Sequence, residues 1–440
     1  MGKMSENVGL PPTNLVIFGI TGDLASRYIL PSLATLDEQG ELPDEFRLIG
    51  LSRREVSAEE VLDGQAARLA SYTTMLQVDM SRPSDYAKIT ERLMPDAQTI
   101  FYLSVPPAAV VPIVRNLSTA GFNKGKTKLL LEKPFGYDLP SAEELVQETR
   151  RNFSEEQIFR IDHYMAKAMA QNISVFLGSN ALFRNIWNKD SIESIDVIST
   201  EKIGIEGRAD FYESTGALRD VLQNHLMNLA ALTLMRPCSS LFEFEELPKR
   251  RLEALEALKP ADPARSLRAQ YRGYRDEVKN PRSLVETFAA VEIESTDPRW
   301  SGVPIRLATG KSLDAKLTEI RVRFKATDAS QANELVLRIQ PREGVEIDLW
   351  AKKPGFGEDL QHLPLSFNYA EGSEGRLPDA YEQVLVDAMR SRDSLFASSD
   401  EVIETWRVLQ PVLKSWSMSS ADLRFYEPGS TIEQVWKIKT

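Results

Sequence analysis

The chain has 440 residues, enough for about two or three domains, and its 42% hydrophobic and 27% charged residues, with 23 Gly and 24 Pro scattered along it, are those of an ordinary globular protein rather than a disordered, collagen-like or coiled-coil one. Apolar runs such as 15–19 and 229–232 fall far short of the ~20 residues of a membrane-spanning helix. A single cysteine, Cys238, with three histidines excludes a disulfide framework and a cysteine-rich zinc site, and residues 1–12 lack the features of a secretory signal, so a reducing cytoplasm, an unprocessed start and no metal are expected. The formal net charge of −11 argues against nucleic acid or an anionic membrane as a partner, and it requires that any phosphorylated ligand be met by a local cluster of Lys and Arg.

In chain order, residues 14–19, 47–51, 99–104 and 128–132 read as buried strands, with helices at 24–38, 58–70, 83–94, 107–120 and 141–152 between them. This alternation predicts a parallel sheet wrapped by helices. From residue 158 the pattern changes. A helix at 165–178, a β-rich segment at 192–202, a helix at 217–235 and a charged helical patch at 242–258 precede apparently antiparallel strands at 283–294, 303–308, 316–325 and 334–340. No linker, repeat or low-complexity tract intervenes, so the boundary near Asp162 rests on the change of pattern. The fold expected is an α/β Rossmann-type parallel sheet over 1–162 and an α+β domain with a large, mainly antiparallel sheet over 163–440. The interface of two such domains is a common place for a ligand cleft.

The run NLVIFGITGDLA, residues 14–25, has the form strand, tight turn, helix start, with Gly19 and Gly22 in the turn and Ala25 at a third small position. Glycines there let backbone N–H groups approach a pyrophosphate at a helix N-terminus, although a plain strand-to-helix turn has the same composition. The next strand ends in Leu51-Ser52-Arg53-Arg54, where a site selecting NAD more often carries an acid for the ribose 2′-hydroxyl. Arg54 also reads as a solvated surface residue; Arg53 together with the glycine turn favours NADP.

His163 and His225 lie in dense polar runs, and His362 lies in a loop-like QHLPL stretch. On a helix starting near Gly216, residues Leu218, Val221, Leu222, Leu226 and Leu229 form an apolar stripe with His225 on its margin, a place where a lone histidine is more often a satisfied core side chain. Asp220 precedes it by five residues, about 140° around an α-helix, so a carboxylate that orients His225 must come from another segment. Asp162, in the DHY triplet, is the candidate, because a buried carboxylate fixes the imidazole tautomer and raises its basicity, as a general base near neutral pH requires. If a helix starts here, His163, Tyr164 and Lys167 converge on one anion, and their donors suit a phosphate monoester. Lys167 alone reads as a solvated lysine.

Three long runs, LLLEKPFGYDLPSAEEL at 129–145, RIDHYMAKAMAQN at 160–172 and GRADFYESTGALRDVLQNHL at 207–226, resemble the glucose-6-phosphate dehydrogenase family in order and spacing. The likeness continues through ETFAAV (286–291), RWSGVPIRLATGK (299–311) and LRIQPREGV (337–345) and so covers most of the chain. The resemblance implies that His225 takes the proton of the sugar C1 hydroxyl as hydride leaves for NADP, with NAD as a possible substitute, and that Asp162 is its partner. It implies further that His163, Tyr164 and Lys167 bind the phosphate and that Glu201 and Asp220 hold sugar hydroxyls. Lys133 lies between substrate and cofactor, and Lys311, Lys316 and Gln340 close the substrate side. Gly19, Ile20, Thr21, Gly22, Asp23, Leu24, Arg53, Asp79 and Met80, with Lys133, form the implied cofactor site. The implied reaction oxidises glucose 6-phosphate to 6-phosphogluconolactone, the entry to the oxidative pentose phosphate pathway, in a cytoplasmic homodimer or homotetramer joined through the large sheet.

The chain also departs from the family pattern. Tyr28 stands where the family has a lysine reaching toward substrate, Ala166 and Ala168 replace a glycine and a glutamate of HYLGKE, and Lys316 replaces an arginine of some relatives. Leu317 stands where some relatives have a lysine for a second, structural NADP, so one cofactor site per chain is expected. The alternatives are a related dehydrogenase acting on another hexose phosphate or preferring NAD, a sugar oxidoreductase of the wider group sharing Glu-Lys-Pro, and a catalytically weak homologue acting as a binding partner.

Overall fold

Apolar residues at every position of a short run suit strands covered on both faces, whereas alternating apolar and charged residues suit strands with one face on a core. The first 160 residues carry the former pattern and the last third carries the latter. The computed structural model of the chain describes residues 9–238, 241–326, 332–372, 376–419 and 422–437. Its strands are β1 (Thr13–Phe18), β2 (Phe46–Ser52), β3 (Thr73–Gln77), β4 (Gln98–Leu103), β5 (Thr127–Leu131), β6 (Ile158–Ile161), β7 (Ile192–Thr200), β8 (Ser266–Tyr271), β9 (Phe288–Ile293), β10 (Ile305–Gly310), β11 (Leu317–Phe324), β12 (Glu334–Gln340), β13 (Gly344–Lys352), β14 (Leu360–Asn368), β15 (Phe396–Ala397) and β16 (Leu423–Tyr426).

The first sheet has seven strands in the order β15-β6-β5-β4-β1-β2-β3. All its pairs are parallel apart from β15 against β6. With β1 between β2 and β4, the order reverses there and opens a crevice at the carboxyl ends of the strands. The second sheet has nine strands, β14-β13-β12-β11-β7-β10-β9-β8-β16, antiparallel except for β10 beside β7 and β16 beside β8. The expected fold class is thus observed, and residues 303–308, read as part of an antiparallel run, in fact lie parallel to β7 on one side and antiparallel to β9 on the other.

The chain divides into two compact units, Met1–Gly136 with Glu143–Ala166 and Pro378–Ser399, and Tyr137–Ala142 with Lys167–Leu377 and Asp400–Thr440. In the first, Leu15, Ile17, Leu48, Ile100 and Leu130 of the sheet pack with Leu30, Leu33, Leu385 and Met389 of its helices. The late segment is tied in by polar bonds as well, since Gln98 and the buried Lys128 donate to the Met389 and Ala388 carbonyls at 2.8 and 2.5 Å. Among the described residues no helix is long and apolar enough to cross a membrane.

Several elements differ from the sequence reading for local reasons. The helix expected at 58–70 breaks at Asp63-Gly64 into Ala58–Val61 and a 3₁₀ stretch, Gly64–Tyr72. That at 83–94 is a 3₁₀ turn, Pro83–Tyr86, and one α-turn, Ala87–Thr90. The helix expected from 165 begins at Ala168, because residues 162–167 form a turn. His362 is not in a loop but in β14, at the sheet edge, where Pro364 is tolerated for want of an outer neighbour to bond. The segment 217–235, read as one α-helix, is kinked at Gly216, π-helical over Leu218–Leu226 and α-helical over Met227–Leu234.

Candidate active site

After β1 the chain reverses through Gly19, whose φ of +76° suits glycine. A Cβ there would lie 2.2 Å from the Ser104 carbonyl oxygen, so the end of β4 occupies the space a side chain would need. The Gly22 N–H donates to the Gly19 carbonyl at 2.9 Å, and winding begins with a π-turn, Ala25–Ile29, that continues as the helix Leu30–Glu38. Beside this turn is a pocket of about 530 Å³ lined by Gly19, Thr21, Gly22, Arg53, Asp79 and Met80, among others. Arg53 is exposed at its rim and makes no side-chain hydrogen bond or ion pair to another described residue. The Asp79 carboxylate accepts from the Ser81 hydroxyl and N–H at 2.6 and 3.0 Å and meets Arg82 at 3.2 Å; the Ser81 bonds, chiefly, hold its pKa below the usual range. The Met80 carbonyl is taken by Tyr86 and Asn116. Three neighbours in the turn are placed differently: the Ile20 side chain is in the core, Asp23 pairs with Arg27 at 2.6 Å, and Leu24 is half-buried.

The next crevice-side groups of this unit stand at the ends of β5 and β6. Glu132, directly after β5, accepts from the Tyr102 hydroxyl at 2.5 Å; burial pushes its pKa up to about 7, against the opposing effects of that bond and of the Lys133 charge. Lys133 follows, half-buried and joined to Pro134 by a cis peptide. After β6, Asp162 is 1% exposed, and its carboxylate accepts from the Tyr164 N–H at 2.9 Å. The His163 and Tyr164 rings meet edge to face, centroids 4.9 Å apart. The helical spacing expected for His163, Tyr164 and Lys167 does not occur: the first two are in the turn, and Lys167, with ψ of 141°, is the N-cap residue of the helix Ala168–Ser179.

In the second unit the parallel pairing of β10 with β7 sets the site. Its register puts Gly310 beside Thr200, so the residues that follow, Lys311 and Glu201, leave the sheet side by side and their side chains meet at 2.8 Å. The Lys311 ammonium also lies 5.3 Å from the Tyr212 ring centroid, and its carbonyl accepts from the Tyr426 hydroxyl at 2.6 Å. At the same end of the sheet, Gln340 closes β12 and donates to Thr318 at 2.9 Å, while Lys316 precedes β11, exposed and with no partner among the described residues. Glu201, Lys311, Lys316 and Gln340 therefore belong to one rim.

The segment Leu218–Leu226 packs against β7, β9 and β10 beneath that rim. In a π-helix the hydrogen bond runs from i to i+5, so residues five apart stand one above the other. Asp220 and His225 consequently share a face, which corrects the α-helical expectation that they diverge. His225 is 2% exposed and Asp220 half-buried. The winding is started by a feature the sequence reading missed. Gly216 has φ 72° and ψ 170°, and the buried Glu286, just before β9, accepts the Leu218 N–H at 3.0 Å while its carbonyl accepts that of Ala217 at 3.0 Å. Burial raises the Glu286 pKa, and the Leu218 bond opposes the rise.

With this geometry in hand, residues 16–172 match the family described as glucose-6-phosphate dehydrogenase, NAD binding domain, and residues 174–435 match its C-terminal domain. The chain belongs to the glucose-6-phosphate dehydrogenase family. It is 34% identical to the glucose-6-phosphate 1-dehydrogenase of Mycolicibacterium smegmatis, over 95% of this chain and 94% of that one. It is 34% identical to that of Bacillus subtilis, over 96% and 95%. Among solved structures it is similar to a glucose-6-phosphate dehydrogenase in complex with its substrate glucose-6-phosphate, with a TM-score of 0.90 and 29% identity over 96% of both chains. The glucose-6-phosphate 1-dehydrogenase from Mycobacterium avium gives 0.85 and 32%, over 96% and 95%.

Glu286 stands in a run that identifies the family, ETFAAV, yet nothing in that run shows that its carboxylate caps a helix seventy residues earlier. The only local signal is Gly216 before an amphipathic run. A Cβ at Gly216 would lie 2.5 Å from a Glu286 oxygen, in a backbone region nearly confined to glycine. Gly216→Ala should therefore cost at least about 1–3 kcal/mol and reduce turnover; an unchanged melting temperature and rate would contradict this role.

Glu132 supplies a pH signature. Its folded pKa of about 7 exceeds its ordinary 4.5, so between these values the native state keeps a proton that the unfolded state has shed. Stability contributed at this site therefore falls as pH rises through that window. Glu132→Gln should flatten the fall of melting temperature between pH 5 and 8, roughly the window in question. Parallel curves for the two proteins would show that Glu132 ionises normally.

Proposed function

We propose that this chain oxidises glucose 6-phosphate at C1 to 6-phosphogluconolactone with NADP⁺ as the acceptor. The observation that carries the reading is that the buried acid Asp162 and the buried imidazole His225 are both present in a chain that aligns end to end with glucose-6-phosphate 1-dehydrogenases. The Gly19 turn, which leaves room for no side chain, and the pocket beside it fit a dinucleotide, to be held by Gly19, Thr21, Gly22, Arg53, Asp79 and Met80, with Lys133 between it and the sugar. When bound, NADP⁺ supplies the hydride acceptor. His225 takes the proton of the C1 hydroxyl, which lets the C1–O bond become a carbonyl as C1 gives up its hydrogen. Asp162 orients His225 and stabilises its charged form. His163, Tyr164 and Lys167 bind the phosphoryl group, Glu201 and Asp220 hold sugar hydroxyls, and Lys311, Lys316 and Gln340 close the substrate side so that C1 is fixed for transfer.

NADP rather than NAD is favoured by Arg53, a guanidinium at the pocket rim with no side-chain hydrogen bond or ion pair among the described residues, which suits a 2′-phosphate. The domain roles follow the two parts of the chain, 1–162 for the dinucleotide and 163–440 for substrate and assembly, in a cytoplasmic homodimer or homotetramer. Assembly through the second sheet is supported by the edge hairpin β13–β14, where Leu349 pairs with Leu363 and the side chains of Leu363, Leu365 and Phe367 are exposed.

Absorbance of the reduced nicotinamide, recorded with glucose 6-phosphate, glucose or an amino-sugar phosphate and either cofactor, tests the reading. Glucose 6-phosphate with NADP⁺ should give the highest kcat/KM, and Arg53→Ala should raise KM for NADP⁺ about tenfold while moving that for NAD⁺ little. No reduction with glucose 6-phosphate and either cofactor would overturn the assignment. Light scattering on the same sample reads assembly, and a monomer would contradict the proposed oligomer.

A further inference from the structure

Two aromatic rings in the first unit, those of Tyr28 and Tyr381, take no part in the reaction as described. Tyr28, in the π-turn after the glycines, stacks on Tyr381 with centroids 5.3 Å apart and planes 25° apart. Tyr381, near the start of the helix Ala380–Met389, in turn lies nearly parallel to the His163 imidazole, at 6.3 Å and 10°. His163 also meets Tyr164 edge-on, so its ring touches an aromatic face and an aromatic edge. Such pairs at 4.5–7 Å are favourable beyond the area they bury.

The rings differ in how firmly they are held. Tyr381 is 9% exposed, belongs to the core of its unit, and has its N–H bonded to the capping carboxylate of Asp379 at 3.0 Å. Tyr28 is 49% exposed and packs over it from a short helical turn. His163 sits in the turn that follows β6. An imidazole that must offer an N–H to a phosphoryl oxygen needs a fixed ring plane, and a parallel neighbour restricts rotation about the Cβ–Cγ bond.

We propose that Tyr28 and Tyr381 are positioning residues that fix the plane of the His163 imidazole for the phosphoryl group of the sugar phosphate, Tyr381 by direct stacking and Tyr28 by holding Tyr381. This rests on the reading of His163 as a phosphate ligand. Because Tyr28 lies in the helical segment that opens at the glycine turn, the cofactor turn and the phosphate turn are joined by one stack.

Steady-state kinetics and NADP⁺ binding of Tyr28→Ala, Tyr28→Phe, Tyr381→Leu, Tyr381→Phe and His163→Asn test it. Tyr28→Ala and Tyr381→Leu should raise KM for glucose 6-phosphate about three- to tenfold, with kcat and NADP⁺ affinity within about twofold of wild type. Both Phe variants, which keep the rings, should restore KM. If His163→Asn raises KM and neither Tyr28→Ala nor Tyr381→Leu does, the stacking proposal is overturned while the phosphate reading stands. If His163→Asn leaves KM unchanged, both are overturned. Should Tyr381→Leu fail to fold, Tyr28→Ala, at an exposed position, still decides the matter, and a loss confined to kcat there counts against the proposal.

Discussion

The relation of Asp220 to His225 depends on how nine residues are wound. Leu218–Leu226 is a π-helix, and only that winding stacks Asp220 and His225 on one face. A π-helix is rare because its hydrogen bonding is less favourable than that of an α-helix, so something must hold it. Here that is the Glu286 carboxylate on the Leu218 N–H and its carbonyl on the Ala217 N–H, the glycine backbone at Gly216 that makes room for the carboxylate, and a bond from Gln223 to Thr405 at 2.9 Å farther along. The same segment rests on β7 and β10, whose parallel register delivers Glu201 and Lys311. Asp220, His225, Glu201 and Lys311 thus share one mechanical origin.

A second constraint is charge. With a net charge of −11, an anionic ligand has to be met by local placement of cations rather than by bulk composition. In the first unit, Arg53 stands at the rim of the glycine-turn pocket with no side-chain hydrogen bond or ion pair among the described residues. In the second, the two rim lysines are used differently. Lys311 is buried and paired to Glu201, so much of its charge is already met, whereas Lys316 is exposed and has no partner among the described residues, so its field is less compensated.

The sequence carried much of this, and the misses have physical reasons. β1, β2, β4 and β5 were legible because each contains an unbroken run of apolar or small residues, 15–18, 48–51, 100–103 and 129–131. β3 was not, because TTMLQ is half-buried with no clear period, and β6 was not, because it is four residues long and contains Arg160. The π-winding was invisible because its apolar residues also satisfy a 3.6-residue period. The turn at 162–167 was hidden by Met165 and Ala166, which continue the periodicity of the following helix backward. Family motifs named His225, Asp162 and Lys311. They did not reveal Glu286 or Tyr381, whose roles come from contacts between segments far apart in the chain.

The central claim is that His225 is the group that accepts the C1 hydroxyl proton. It is tested most directly by NADPH formation at saturating glucose 6-phosphate, comparing wild type with His225→Asn at equal occupancy by NADP⁺. The account predicts a fall in kcat of about 10²–10⁴ with NADP⁺ affinity unchanged. A variant that turns over at the wild-type rate would contradict it.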